Sequence, residues 1–177
     1  MQNGVSGVMK FLFVILLIVF ALYAFPFVAI ELVTIFSDDP PLPEIRYGEF
    51  PFRLVYEING EQIVIEDTII CEFDGIGRGG GSKWRRWTSR LASGDEEIIL
   101  LRINSGKFIY YLPGSPEYYM GDLPDYATHR DLFPDAFISD TNRVSSSRWI
   151  NADELYSEYG IRLISWEPSP AIVNSFR

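Results

Sequence analysis

Apolar positions run unbroken from residue 11 to residue 30, FLFVILLIVFALYAFPFVAI, without one charged side chain. At about 1.5 Å of helical rise per residue, such a run crosses the roughly 30 Å hydrocarbon core of a bilayer. The pattern predicts a membrane-spanning helix over 11–36, with a short amino-terminal segment 1–10 before it. Pro26 removes a backbone donor and crowds the preceding turn, which predicts a kink there or a step from membrane to interface. Glu31, followed by LVTIF, reads as a carboxylate at the far interface. A cleaved signal peptide fits less well: the run is too long, and Val19 and Leu22 stand where cuts after Ala21 or Ala24 need small residues.

Beyond residue 36 the texture changes twice. Residues 37–44, SDDPPLPE, hold three prolines and three acids and predict a stiff, extended spacer. From Phe50 a two-residue period begins, with Phe52, Leu54, Tyr56 and Ile58 alternating with Arg53, Val55 and Glu57. Asn59-Gly60 interrupts it before Ile63, Val64 and Ile65, the signature of a hairpin whose two turn residues take positive φ. The second arm is expected to bulge at Glu66-Asp67 and to end at Asp74-Gly75.

Residues 83–92 fit both a helix and a strand, and the strand reading is preferred. Residues 97–104 and 107–112, separated by Ser105-Gly106, predict a second hairpin, which with the first reads as a meander. Residues 113–147 show no sustained period and predict ordered irregular structure. Asn151 as cap, Asp153 and Glu154 in the first turn and Gly160 as stop predict a short helix, and 161–167 a last strand before an irregular tail. The expected fold is therefore mainly β, an antiparallel meander or sandwich-like domain over 45–177 with one short C-terminal helix, preceded by one transmembrane helix.

Charge and cysteine usage narrow the function classes. Residues 45–177 carry 14 Lys and Arg against 20 Asp and Glu, within a chain of net charge −9, so nucleic acid is not the expected partner. Cys71 is the single cysteine, which excludes an intrachain disulfide and a CxxC pair, and its apolar neighbours predict a buried thiol. Lys10 precedes the apolar run, while Glu31, Asp38 and Asp39 follow it with no Lys or Arg until Arg46. Cationic flanks stay inside, so the amino terminus is expected in the cytoplasm and the domain outside.

Candidate chemistry concentrates in one basic stretch, Arg78, Lys83, Arg85, Arg86 and Arg90 interleaved with Trp84 and Trp87. Five cations in an acidic chain suit an anionic ligand, such as a phosphate-bearing envelope polymer, lipid headgroups or an acidic partner protein. The bland reading is that these cations neutralise the chain's own acids. Residues 75–81, GIGRGGG, contain G-x-G-x-x-G, yet the antiparallel setting lacks the helix a dinucleotide site needs and predicts a flexible connection. His129 has no accompanying nucleophile motif. Asp122, Asp125, Asp131, Asp135 and Asp140 match no calcium loop and read as caps and turn formers. With the tyrosines they also allow a carboxylate-based, glycosidase-like cleft. No motif calls for a cofactor.

Residues 47–77, YGEFPFRLVYEINGEQIVIEDTIICEFDGIG, and 114–122, GSPEYYMGD, resemble short single-pass membrane-anchored proteins of Gram-positive bacteria, a family of unknown function. The resemblance implies a bacterial envelope protein of the same layout and carries over no catalytic residue.

Overall fold

Asn59 and Gly60 take φ of 52° and 85°, the mirror-image turn that matches the twist of paired strands. They join β1 (Tyr47–Ile58) to β2 (Glu61–Gly79). Pairing is in register from Ile58↔Glu61 to Tyr47↔Glu72, with Arg53 opposite Glu66 and Phe52 opposite Asp67. The bulge expected at Glu66-Asp67 is therefore absent; the ladder irregularity of β1 lies on its other side, at Val55/Tyr56.

The computed structural model describes residues 2–95, 97–123, 132–140 and 146–177. Helix α1 (Gln2–Phe36) includes the span Met9–Phe36, 28 residues whose most apolar 18-residue stretch has a mean hydropathy of 2.9, long and apolar enough to cross a membrane. It continues through Pro26, so the proline does not end the helix.

After β2 the chain returns as β3 (Ser82–Leu91), which settles 83–92 as strand. β4 (Ile98–Asn104) and β5 (Lys107–Tyr111) form the second expected hairpin. Residues 113–147 are less irregular than their texture suggests. They contain a one-turn helix α2 (Pro116–Tyr119) capped by Ser115, strand β6 (Ala136–Asp140) and the start of β7 (Ser146–Ile150). Helix α3 (Ala152–Tyr159) has the expected Asn151 cap and Gly160 in the left-handed region, and β8 (Ile161–Pro168) follows.

The hairpins do not share one meander. Two antiparallel four-stranded sheets form, ordered β3-β2-β1-β8 and β4-β5-β6-β7. Their common core holds Phe50, Phe52, Leu54 and Leu163 from the first sheet with Ile98, Ile109, Tyr111, Ile138 and Ile150 from the second. The Tyr56 hydroxyl donates to the Leu100 carbonyl at 3.0 Å, and Trp166 meets Tyr111 edge-on at 5.0 Å. Cys71 is buried as expected.

The C-terminal tail is not loose, and the end of the proline-rich spacer is not a free stalk. Leu42 and Arg177 exchange two backbone hydrogen bonds, and Glu44 N–H donates to the Ser175 carbonyl. The Asn174 side chain both accepts from Ile45 N–H and donates to its carbonyl. The chain divides into two compact units, Met1–Pro40 with Gly75–Arg86, and Pro41–Asp74 with Trp87–Arg177. The second holds the two-sheet core. The first joins the apolar helix to the far end of the β2–β3 ribbon and carries most of the basic stretch.

Candidate functional site

The ribbon's end is built almost without side chains. β2 does not stop at Asp74-Gly75; it continues through Gly77 to Gly79, and Gly80 and Gly81, at φ of 58° and 85°, make the turn into β3. The G-x-G-x-x-G sequence is thus an antiparallel strand and a tight turn, with no helix opening after it. Gly77 is needed for space as well: a Cβ there would lie 2.6 Å from the Trp84 indole, which lies across it.

This glycine-rich end is bonded to the end of α1. Gly81 N–H donates to Thr34 Oγ1 at 2.9 Å, and Thr34, only 2% exposed, donates in turn to the Ile30 carbonyl. The Lys83 ammonium donates to the Ser37 carbonyl at 2.5 Å and pairs with Asp39 at 2.8 Å. α1 has no basic residue in its own last turn. Lys83 therefore supplies from another element the cation that favours a helix C-terminus. Hydrogen bonding from Lys83 holds the Asp39 carboxyl below its ordinary 3.8; slight desolvation opposes this, and the charges of Lys83 and Arg78 assist.

The seven sequence candidates separate by position. Lys83 is spent on the helix end, with its side chain only 7% exposed. Arg78 approaches Asp39 at a long 3.9 Å and is 61% exposed. Trp84 is 48% exposed beside it, Arg86 is exposed and Arg85 half-buried. Trp87 faces the other way: it is buried, edge-on to Phe73, and its Nε1–H donates to Asp122 Oδ2 at 2.7 Å. Arg90 pairs with Glu72 at 3.4 Å on an exposed strand surface. The structure thus places Arg78, Trp84 and Arg86 outward and Arg85 half-buried, and it makes Lys83 and Trp87 structural.

Of the acidic candidates, Asp122 holds Trp87 and Asp135 accepts from Ala152 N–H at the start of α3. Asp140 lies in the β6 ladder. Asp125, His129 and Asp131 lie outside the described residues. Among the described residues no group of three or more His, Cys, Asp or Glu side chains has metal-holding geometry. A groove of about 300 Å³ lined by Asp95, Glu97, Ile99, Arg102 and Phe108 was not singled out from sequence. Its two carboxylates are separated by one residue at the entry to β4, with no motif around them. Thr34 and Asp39 were likewise missed as site residues; the local signal was a threonine in the LVTIF segment just after the apolar run.

Comparison with known proteins finds no family model, no curated sequence and no solved structure that matches this chain.

Proposed function

We propose that this chain is a single-pass membrane protein of the bacterial cell envelope, its amino terminus in the cytoplasm and its β-rich domain outside. It acts as a non-catalytic binding or assembly module, and Arg85 and Arg86 form its docking face for an anionic envelope polymer or an acidic protein partner. One observation carries this reading. Residues 75–86 contain four cations and no acid, in a chain of net charge −9, and the hairpin they form is bonded to the end of the apolar helix. The test is Arg85→Glu with Arg86→Glu in the full-length protein. Retention on envelope polymer, and recovery of whatever partner co-purifies with the wild type from membranes, are expected to fall together. Unchanged retention of both sinks the docking face.

The groove at Asp95 and Glu97 favours a second reading, a membrane-tethered carboxylate hydrolase of the glycosidase type. Release of soluble sugar from envelope glycan by the wild type, abolished by Asp95→Asn or Glu97→Gln, would select it over the binding module.

A further inference from the structure

We propose that the Gly75–Arg86 hairpin is an interfacial membrane anchor, with Trp84 lodged among the headgroups and Arg78 bound to the phosphate of an anionic phospholipid. The proposal rests on the reading of α1 as membrane-spanning.

The hairpin's level follows from its hydrogen bonds. Twenty residues, 11–30, match the roughly 30 Å hydrocarbon thickness at about 1.5 Å each, which places 31–36 in the headgroup layer. Glu31 at the start of that segment agrees with this placement, since a carboxylate is costly any deeper. Gly81 is bonded to Thr34, and a methyl group on Gly81 would lie 3.8 Å from Ile30 Cγ2. Lys83 is bonded to Ser37 and Asp39, one step further out. The turn of the hairpin therefore sits at the boundary between acyl chains and headgroups, and Lys83 with Arg78 sits at phosphate level.

The residue types fit that depth. Backbone donors near hydrocarbon need partners, and the Gly81 N–H has one in Thr34. The turn carries no side chain that would need solvation. The Trp84 ring spans Gly77 and reaches Gly79, so it points along the ribbon toward the turn while 48% of the residue remains exposed. An indole held with its apolar edge inward and its surroundings cationic is the side chain that belts the membrane interface. Arg78 has its guanidinium 3.9 Å from Asp39, longer than the 2.8 Å Lys83 contact to the same carboxylate, and it is largely exposed. A planar guanidinium in that position matches a lipid phosphate.

The test uses full-length protein in vesicles, in a Trp149→Phe/Trp166→Phe background that leaves Trp84 and the buried Trp87. Lipids brominated high on the acyl chain are expected to quench the fluorescence, aqueous iodide to quench it weakly, and the lipid-dependent part to vanish in Trp84→Phe. Arg78→Ala is expected to lower the preference for spin-labelled phosphatidylglycerol over phosphatidylcholine by about five-fold. Quenching by iodide but not by brominated lipid, or a bromine effect that survives Trp84→Phe, overturns the anchor. An unchanged lipid preference in Arg78→Ala overturns the phosphate contact. So does an emission shift of the detergent-solubilised protein by inorganic phosphate as large as that by phosphatidylglycerol. A carbonate wash of the same vesicles separates the two levels: protein released by it overturns the membrane-spanning reading itself, whereas retained protein with no Trp84 quenching overturns only the hairpin anchor.

Discussion

Lys83 shows how a residue read as a binding cation becomes a structural one. Its ammonium satisfies a helix-end carbonyl and a carboxylate at once, and burial of its stem makes that arrangement exclusive. Asp39 has a lowered pKa in the folded chain, so it contributes stability that is complete above its ordinary 3.8 and is lost as pH falls below that value. Protease cleavage of the 75–86 hairpin is therefore expected to be slow at neutral pH and to accelerate below about pH 4. In Lys83→Met it is expected to be fast throughout. Equal cleavage of both proteins across the range would show that the contact does not hold the hairpin. Cys71 gives the opposite sign. Burial first, then the Glu117 charge, push its thiol up to about 12 from 9.0. Folding favours the neutral thiol, so this contribution is complete below pH 9.0 and declines as pH rises toward 12. The native protein is expected to be silent to aromatic disulfide reagents at neutral pH and to react fully in denaturant. Rapid native labelling would mean the β2 strand opens locally.

At the scale of elements, the C-terminal tail acts as a strap on residues 42–45 and on α2. Ile172 N–H donates to the Tyr119 carbonyl, and Gly121, at φ 65°, leaves no room for a side chain because a Cβ would stand 2.5 Å from the Ile172 carbonyl oxygen. Gly121→Ala combines a left-handed backbone with a clash against backbone. It is expected to cost about 2 kcal/mol or more, read as a fall in midpoint by thermal unfolding of the purified protein. A midpoint equal to wild type would mean the tail is not held there. The strap also shows what a sequence period reveals and what it hides. β1 and β2 were legible because Phe52, Leu54 and Tyr56 face a core while Arg53 and Glu57 do not, and Asn-Gly fixes the turn between them. β8 and α3 were legible for similar local reasons, alternation in one and a cap and stop in the other. β6 was not, since Ala136, Ile138 and Ser139 are all buried and both faces of the strand are covered, which erases the alternation. β7 carries Ser147 and Arg148 before Trp149 and reads as loop. The ribbon end was hidden because glycine has poor strand propensity, and its strand state comes from pairing with β3. The bond from Gly81 to Thr34 joins positions with no local relation, so no period could announce it. What the sequence did expose was the ingredients: an acid-free cationic stretch and a threonine just beyond the apolar run.

For the whole molecule, orientation is the property on which the proposed function turns, and on that proposal the charges near α1 set it during insertion, before any hairpin exists. The rule counts cations close in sequence to the ends of the span. On that count Lys10 stands on one side, and on the other Glu31, Asp38 and Asp39 come before the first cation, Arg46, while the cations at 78, 83, 85 and 86 lie too far downstream to compete. The folded hairpin later brings those cations to the carboxyl end of α1, so the finished molecule has basic residues at both ends of the helix and its charge pattern no longer reports how it was inserted. The consequence can be measured with two fusions after Arg177. Alkaline phosphatase, which is active only outside the cytoplasm, is expected to be active, and a green fluorescent protein that does not mature after Sec export is expected to be dark. Lys10→Glu combined with Asp38→Lys reverses the local bias without touching the Asp39 partner of Lys83, and it is expected to shift a measurable share of molecules to the opposite pattern. A bright fluorescent fusion and an inactive phosphatase on the wild-type chain would place the β-rich domain in the cytoplasm. The envelope polymer would then be out of reach, and the anionic partner of Arg85 and Arg86 would have to be sought on the inner side.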